Sequence, residues 1–314
     1  MSAPLVSIII PSYNRADLLP RAVESVLRQT HANVEVIVVD DGSRDATGAY
    51  LASLAHEPRL VSYVHTTNHG QNAALNTGLV FAHGDYIGFC DSDDELLPTF
   101  VARFLERFEA DPELGAVYSR KFLKRGDEPM FVTREFTIEG HVYPQVLAQG
   151  FLSHMGTIMV KRECLKKTRL FDINFTNHQD DDFCFLIARH YKVGLIAEAL
   201  AIEYNALLNN RVTDNRVDYA LGFERLLNKH RDEIVRHAGQ DALLKHLLAS
   251  ARNFLQVGDS VRATALLHEA SQLFNRIVES GVAPVAAVAD IVPGRAALRD
   301  ELIALINFVN GVRA

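Results

Sequence analysis

Four short apolar runs within the first ninety residues, separated by helical patterns and each followed by a polar cluster, constrain the fold more than any other feature of the chain. Val6 to Ile10, Val34 to Val39, Leu60 to His65 and Tyr86 to Phe89 read as strands. Between them lie three helical patterns: Leu18 to Gln29, with Leu19, Val23, Val26 and Leu27 on one face, then about Ala46 to Leu54, then Gly70 to Phe81. Asp17 is placed to cap the first helix and Pro20 fits its first turn. Alternating strand and helix predicts an α/β fold with a mostly parallel sheet and right-handed crossovers.

In such sheets ligands bind beyond the carboxyl ends of the strands, and the polar clusters fall there. Pro11-Ser12-Tyr13-Asn14 follows the first strand, Asp40-Asp41-Gly42-Ser43 the second, Asn68-His69-Gly70-Gln71-Asn72 the third, and Cys90-Asp91-Ser92-Asp93-Asp94 the fourth. Carboxylates this crowded repel one another unless a cation sits among them. Mg²⁺ and Mn²⁺ prefer oxygen ligands, supplied by one or two carboxylates and substrate phosphates, so the last cluster reads as a metal-diphosphate anchor. The structural alternative is an acidic turn capping a helix that Glu95-Leu96-Leu97-Pro98 would start.

After about residue 115 the alternation loosens. Ala116 to Leu123 predicts a strand, and Phe151 to Val160 is a mixed segment containing Ser153-His154-Met155-Gly156, where an acceptor would be met. Phe183 to His190 reads as a helix entered through Gln179-Asp180-Asp181-Asp182. Beyond about Arg216 the pattern is helical only. Ala251 to Val257, Gly258-Asp259 and Val261 to Phe274 resemble one antiparallel hairpin of the tetratricopeptide kind, without a second copy at a fixed spacing.

The chain has 314 residues, enough for about two domains; 48% are hydrophobic and 23% charged, the balance of a folded globular protein. A net charge of −7 argues against nucleic acid as a partner, and the basic stretch with Lys161, Arg162, Lys166, Lys167 and Arg169 reads as a solvated face. Three scattered cysteines, Cys90, Cys164 and Cys184, suggest neither a disulfide framework nor a zinc site, but a reducing compartment. Without a leader pattern or a transmembrane run, the expectation is a cytoplasmic protein. Its C-terminal helices leave room for attachment to the inner face of a membrane.

Five blocks, in order, resemble the inverting, GT-A-fold glycosyltransferases of family 2: Val6 to Arg15, Val38 to Asp45, Asn68 to Gly78, Asp91-Ser92-Asp93-Asp94, and Asp180-Asp181-Asp182. The likeness covers roughly residues 4 to 205. It implies a Rossmann-like nucleotide-sugar-binding domain over 1–215, followed by an all-α region over 216–314 that serves an acceptor, a partner or a homo-oligomer. By that likeness Pro11, Ser12 and Tyr13 line the base and ribose, and Asp40 or Asp41 accepts a hydrogen bond from the base edge or the ribose. Asn68, Gln71, Asp91 and Ser92 complete the donor site. Asp93 would be the direct ligand of Mn²⁺ or Mg²⁺, with Asp94 orienting a metal-bound water or the donor sugar. Asp180 would be the base that takes the acceptor's proton, with Asp181 one register away.

Three departures stand out. Gln179 replaces the Glu of the family's Glu-Asp pair, Leu75 replaces the Arg before Asn76, and no His follows in Tyr204 to Arg211, where Arg211 is a candidate phosphate contact. His154 could face the acceptor, although a lone His is more often structural. The resemblance implies a metal-dependent transferase moving a sugar from a nucleotide-sugar, a UDP-sugar by preference, to a saccharide, lipid-linked or protein acceptor. The rival is a transferase-like domain that binds a nucleotide and works through its helices. A sugar-nucleotide pyrophosphorylase would want a Gly-rich basic loop near the N-terminus, which Pro11-Ser12-Tyr13-Asn14 is not.

Overall fold

The computed structural model describes residues 3–133, 137–150, 154–204, 215–288 and 292–311. Its strands are β1 (Val6–Ser12), β2 (Val34–Asp40), β3 (Leu60–Val64), β4 (Tyr86–Phe89), β5 (Glu95–Leu96), β6 (Leu114–Lys124), β7 (Phe131–Val132), β8 (Ile158–Lys161) and β9 (Lys192–Tyr204). The helices are α1 (Leu19–Leu27), α2 (Thr47–Ser53), α3 (Gln71–Phe81), α4 (Phe100–Ala110), α5 (Tyr143–Gln149), α6 (Leu165–Thr168), α7 (Gln179–His190), α8 (Arg216–Glu233), α9 (Gln240–Gln256), α10 (Ser260–Ser280) and α11 (Arg295–Val309). They fall into two compact units. One comprises Met1–Val142, Ser153–Asn174 and Leu186–Asn209; the other comprises Tyr143–Leu152, Phe175–Phe185 and Asn210–Ala314.

The first unit holds a mixed sheet in the order β3-β2-β1-β4-β8-β6-β9-β5, with β7 on β6. β3, β2, β1 and β4 run parallel, as the alternation predicts, and β9 is parallel to β6; β8 runs against both β4 and β6. Every residue of β1 is buried, which explains why Val6–Ile10 is apolar on both faces apart from Ser7, whose hydroxyl donates to Glu35: a central strand covered on both sides has no solvent face. Because β1, β2, β3 and β4 point the same way, their polar clusters emerge at one edge.

Two local expectations fail. Asp17 does not cap α1, because the Leu18 and Leu19 amides both turn back to the Arg15 carbonyl and Leu18 occupies the cap. Pro20 does sit in the first turn. Glu95-Leu96 starts no helix either. It pairs with Ile202 and Ala201 of β9, and the Leu97 amide donates to Leu200. Pro98 disfavours helical geometry at the residue before it, so α4 begins only at Phe100.

Gly78 lets α3 lie directly on β1. A Cβ there would fall 2.4 Å from Ile9 Cγ2, and Ile9 is buried and β-branched, with little room to yield. Gly78→Ala is expected to destabilise the protein by about 1–3 kcal/mol, the cost of overpacking a filled core. A lowered urea midpoint with unchanged slope is the signature.

The second unit is helical. α9 and α10 form an antiparallel hairpin through Val257–Asp259, where Gly258 takes φ 80° and Asp259 caps α10 by accepting from the Arg262 amide. Both helices run longer than the hairpin predicted from the sequence. Among the described residues no helix is long and apolar enough to cross a membrane.

On α9, His246 is buried and its Nε2 donates to the Leu147 carbonyl at the end of α5 (2.7 Å); burial pushes its pKa down from 6.5 to about 4. The imidazole is therefore neutral in the fold, whereas in the unfolded chain it takes up a proton below its ordinary pKa. Its contribution is complete above about pH 6.5 and is lost as pH falls toward 4. Between pH 7 and pH 5 the wild type should lose about 2 kcal/mol more than His246→Gln, which keeps a donor but does not titrate. Urea unfolding of both proteins at the two pH values measures the difference.

Candidate active site

The loops after β1 and β2 are stitched together. Asn14, at φ 51°, donates its amide to Ser43 Oγ (2.8 Å) and accepts the Arg44 amide (2.8 Å), while the Asp41 amide donates to the Ser12 carbonyl (2.8 Å). Ser12 is buried and its Oγ takes no hydrogen bond among the described residues; Tyr13 beside it is exposed. Pro11 stands opposite Val39 in the β1–β2 ladder, which Ser12 and Asp40 close.

The two aspartates that end β2 are both buried but differently employed. Asp41 accepts the His69 amide (2.9 and 3.1 Å), the Gly70 amide (2.7 Å) and His65 Nδ1 (2.7 Å). His65 Nε2 in turn meets Thr77 Oγ1 (2.9 Å) on α3. Asp41 thus fastens the loop between β3 and α3. Among the described residues the Asp40 carboxylate accepts only the Ser43 amide (3.0 Å), through Oδ1, so its other oxygen can still accept from a ligand. Asn68 Oδ1 also accepts the Gly70 amide (3.1 Å), and Gln71 Nε2 reaches Asp91 Oδ1 (3.3 Å), joining this loop to the acidic run.

At the acidic run the structure gathers Asp91, Asp94 and His154, with one ligand atom from each lying within 4.8 Å of the others. His154 Nε2 is 3.7 Å from Asp91 Oδ2. Asp93 lies outside this set; its carbonyl accepts a hydrogen bond from the Arg21 guanidinium, which stacks over the Tyr204 ring (3.6 Å to the centroid). Ser92 and Asp93 are both nearly buried. The Tyr204 amide donates to Asp94 Oδ1 (3.2 Å) and its hydroxyl to Glu95 (2.8 Å), so the end of β9 braces the run. Burial, with Asp91, Asp93 and Glu203 nearby, pushes the Asp94 carboxyl well above the usual range. A cation would relieve that crowding.

The three acids of α7's first turn belong to the second unit and have separate fates. Asp181 is buried and accepts His178 Nδ1 (2.7 Å); burial raises its pKa against that hydrogen bond. Asp182 is buried between Lys229 Nζ (3.0 Å) and His230 Nε2 (2.7 Å). Asp180 is only half-buried. Asp181 and Asp182 are therefore committed to these internal partners, and Asp180 is the most exposed of the three.

Arg21 and the partners of Asp181 and Asp182 carry roles that sequence reasoning missed, and His154, read there as a candidate for the acceptor, lies beside Asp91 and Asp94. The basic stretch stands apart: Lys161 pairs with Tyr86 at the start of β4, whereas Asp91 follows its end. Ser153 and Arg211 lie outside the described residues.

Residues 7–190 match the family model described as glycosyl transferase family 2. The chain belongs to this family. Its sequence is 39% identical over 189 residues to the uncharacterized glycosyltransferase EpsJ of Bacillus subtilis, covering 57% of this chain and 55% of that one. Against the uncharacterized glycosyltransferase of Rickettsia felis, 31% identical over 199 residues, the match covers 62% of this chain and 32% of the relative. The family 2 chain thus spans about a third to about half of the length of these curated relatives. Its fold is that of S. aureus TarS 1-349, solved with UDP-GlcNAc (TM-score 0.66, 16% identity, 98% of this chain and 90% of that one). The GT-A architecture expected from the sequence is the one observed.

Proposed function

We propose that this family 2 chain is an inverting glycosyltransferase that takes a sugar from a UDP-sugar and delivers it to a hydroxyl of a saccharide, lipid-linked or protein acceptor. The observation that carries the reading is the convergence of Asp91, Asp94 and His154 at the edge of the sheet where Ser12 and Asp40 keep polar atoms available. UDP is favoured because the TarS fragment was solved with UDP-GlcNAc and with UDP. A mannosyltransferase of Pyrobaculum calidifontis, solved with GDP-Man and Mn²⁺, keeps GDP as the competing donor (TM-score 0.59, 22% identity, 99% of this chain and 88% of that one).

The donor set fits a divalent cation: the two carboxylates, with diphosphate oxygens, suit Mn²⁺ or Mg²⁺, the imidazole inclines the set toward Mn²⁺, and the crowded Asp94 supplies the electrostatic reason to bind one. Bound there, the cation supplies neutralisation of the diphosphate as charge gathers on it. The protein's own residues do the rest. Asp40 accepts from the base or ribose, Ser12 and Tyr13 line the nucleoside, and Asn68, Gln71 and Ser92 complete the pocket. The acceptor oxygen forms its bond to the anomeric carbon as the bond to the diphosphate breaks, and Asp180 takes the acceptor's proton.

The test is calorimetric titration with UDP, GDP, CDP and dTDP, each with Mn²⁺ and with chelator. Mn²⁺-dependent binding of UDP supports the reading, GDP in its place changes the donor class, and no binding of any diphosphate rejects it.

A further inference from the structure

The segment that carries Asp180 is built into the C-terminal helices by contacts that all fall on one side of α8. Tyr219, Gly222, Phe223, Leu226, Lys229 and His230 recur at the three- and four-residue spacing that places side chains on one helical face. The His178 ring packs against Tyr219 (centroids 4.4 Å) and Phe223 (5.4 Å). Lys229 Nζ lies 5.1 Å from the centre of the Phe175 ring, and the His230 ring meets Phe185 edge-on at 4.9 Å.

Gly222 decides how near α8 can come. A Cβ there would fall 3.0 Å from both the Asn177 Cβ and its carbonyl oxygen, and 3.2 Å from His178 Cδ2. His178 is itself held at φ 63°, a left-handed conformation that a side chain rarely adopts and that needs its surroundings to maintain it. Its carbonyl accepts the Asp182 amide (3.1 Å) and its Nδ1 donates to Asp181, so backbone and side chain both lock the start of α7. Four residues on, Asp182 is clamped by Lys229 and His230. Asp180 sits between the two fastenings and has no latitude of its own.

We infer that α8 is the scaffold of the base: Gly222, Lys229 and His230 are positioning residues that aim Asp180 through Asn177–Asp182. The inference rests on the assignment of Asp180 as the base. It gives these helices a task that needs neither a partner nor a second copy.

The experiment uses the full chain and four variants. His230→Phe keeps a ring against Phe185 but donates nothing to Asp182, His230→Gln restores a donor, Gly222→Ala pushes on Asn177 and His178 while favouring the helix, and Asp180→Asn is the control for the base. UDP release from UDP-GlcNAc with Mn²⁺ and water as acceptor, UDP affinity by calorimetry, and amide exchange in Phe175–Phe185 are measured on each. His230→Phe and Gly222→Ala are expected to lose about 100-fold in kcat with UDP affinity unchanged, as a reacting group displaced by about 1 Å does. Exchange in Phe175–Phe185 should quicken in both, while β1 to β4 stay as in the wild type and His230→Gln recovers most of the rate.

Wild-type turnover and wild-type exchange in both His230→Phe and Gly222→Ala, beside an inactive Asp180→Asn, would overturn the scaffold role and leave the base in place. An Asp180→Asn that still turns over would instead overturn the base assignment, and the inference with it.

Discussion

Asp180→Asn is expected to lower turnover by about 10²–10⁴-fold, the range that a positioned general base contributes, while UDP and Mn²⁺ bind as in the wild type. Of the three acids in α7's first turn, Asp180 is the least buried and the one that family likeness places as the base. Asp182 is neutralised by Lys229 and His230, and Asp181 is buried against His178, so neither can approach an acceptor hydroxyl without abandoning a buried partner. Breaking such a pair leaves an uncompensated charge, at a cost of about 3–5 kcal/mol. Asp182→Asn should therefore lower stability as well as rate, and Asp180→Asn, at a half-buried position, chiefly rate. Asn is nearly isosteric with Asp and accepts hydrogen bonds but takes no proton, so the substitution separates proton transfer from positioning. Thermal melts run beside the UDP-release assay distinguish the two. An Asp180→Asn protein with wild-type kcat would remove Asp180 from the mechanism.

Much of this arrangement is legible in the chain because three of the first four strands, β1, β2 and β4, lie inside the sheet, with β3 at its edge. A strand buried on both faces is apolar nearly throughout, and the runs at Val6, Val34 and Tyr86 therefore mark their strands to within a residue or two; the exposed Leu60 run at the edge is marked instead by its β-branched and aromatic residues. Local end signals fare worse. Asp17 and Glu95 look like helix starters, but each is outcompeted by backbone hydrogen bonds, from the Arg15 turn in one case and from β9 in the other. β8 shows why topology is harder still: nothing in Ile158–Lys161 announces that it runs against its neighbours.

The site divides in the same way. Acids at strand ends can be read directly, whereas their division of labour depends on partners remote in sequence. Asp40 and Asp41 are adjacent in the chain, yet Asp41 is occupied at both oxygens, by His65 and by the His69 and Gly70 amides, while Asp40 accepts the Ser43 amide through one. The choice among Asp180, Asp181 and Asp182 turns on Lys229 and His230, which a linear reading places in another domain. His154 reads as a lone histidine until the sheet brings β8 beside β4 and the imidazole to Asp91.

That last juxtaposition sets up the second large effect. Asp94→Ala is expected to weaken Mn²⁺-dependent UDP binding by about 100-fold, the upper end of what residues around a metal contribute even from outside its ligand shell. His154→Ala should fall between Asp94→Ala and the wild type, since a cation held by two carboxylates and a diphosphate retains most of its charge neutralisation without the imidazole. Asp93 discriminates. It is the ligand that sequence likeness favours, but the gathered set is Asp91, Asp94 and His154, and Asp93 meets Arg21 through its backbone carbonyl, which Asp93→Ala preserves. If the set is as gathered, Asp93→Ala costs less than Asp94→Ala. Calorimetric titration of UDP in Mn²⁺ and in chelator reads both, because loss of a ligand abolishes the difference between the two conditions while loss of a bystander leaves it. The reverse ranking would return the cation to Asp93 and leave Asp94 as the residue that orients the donor.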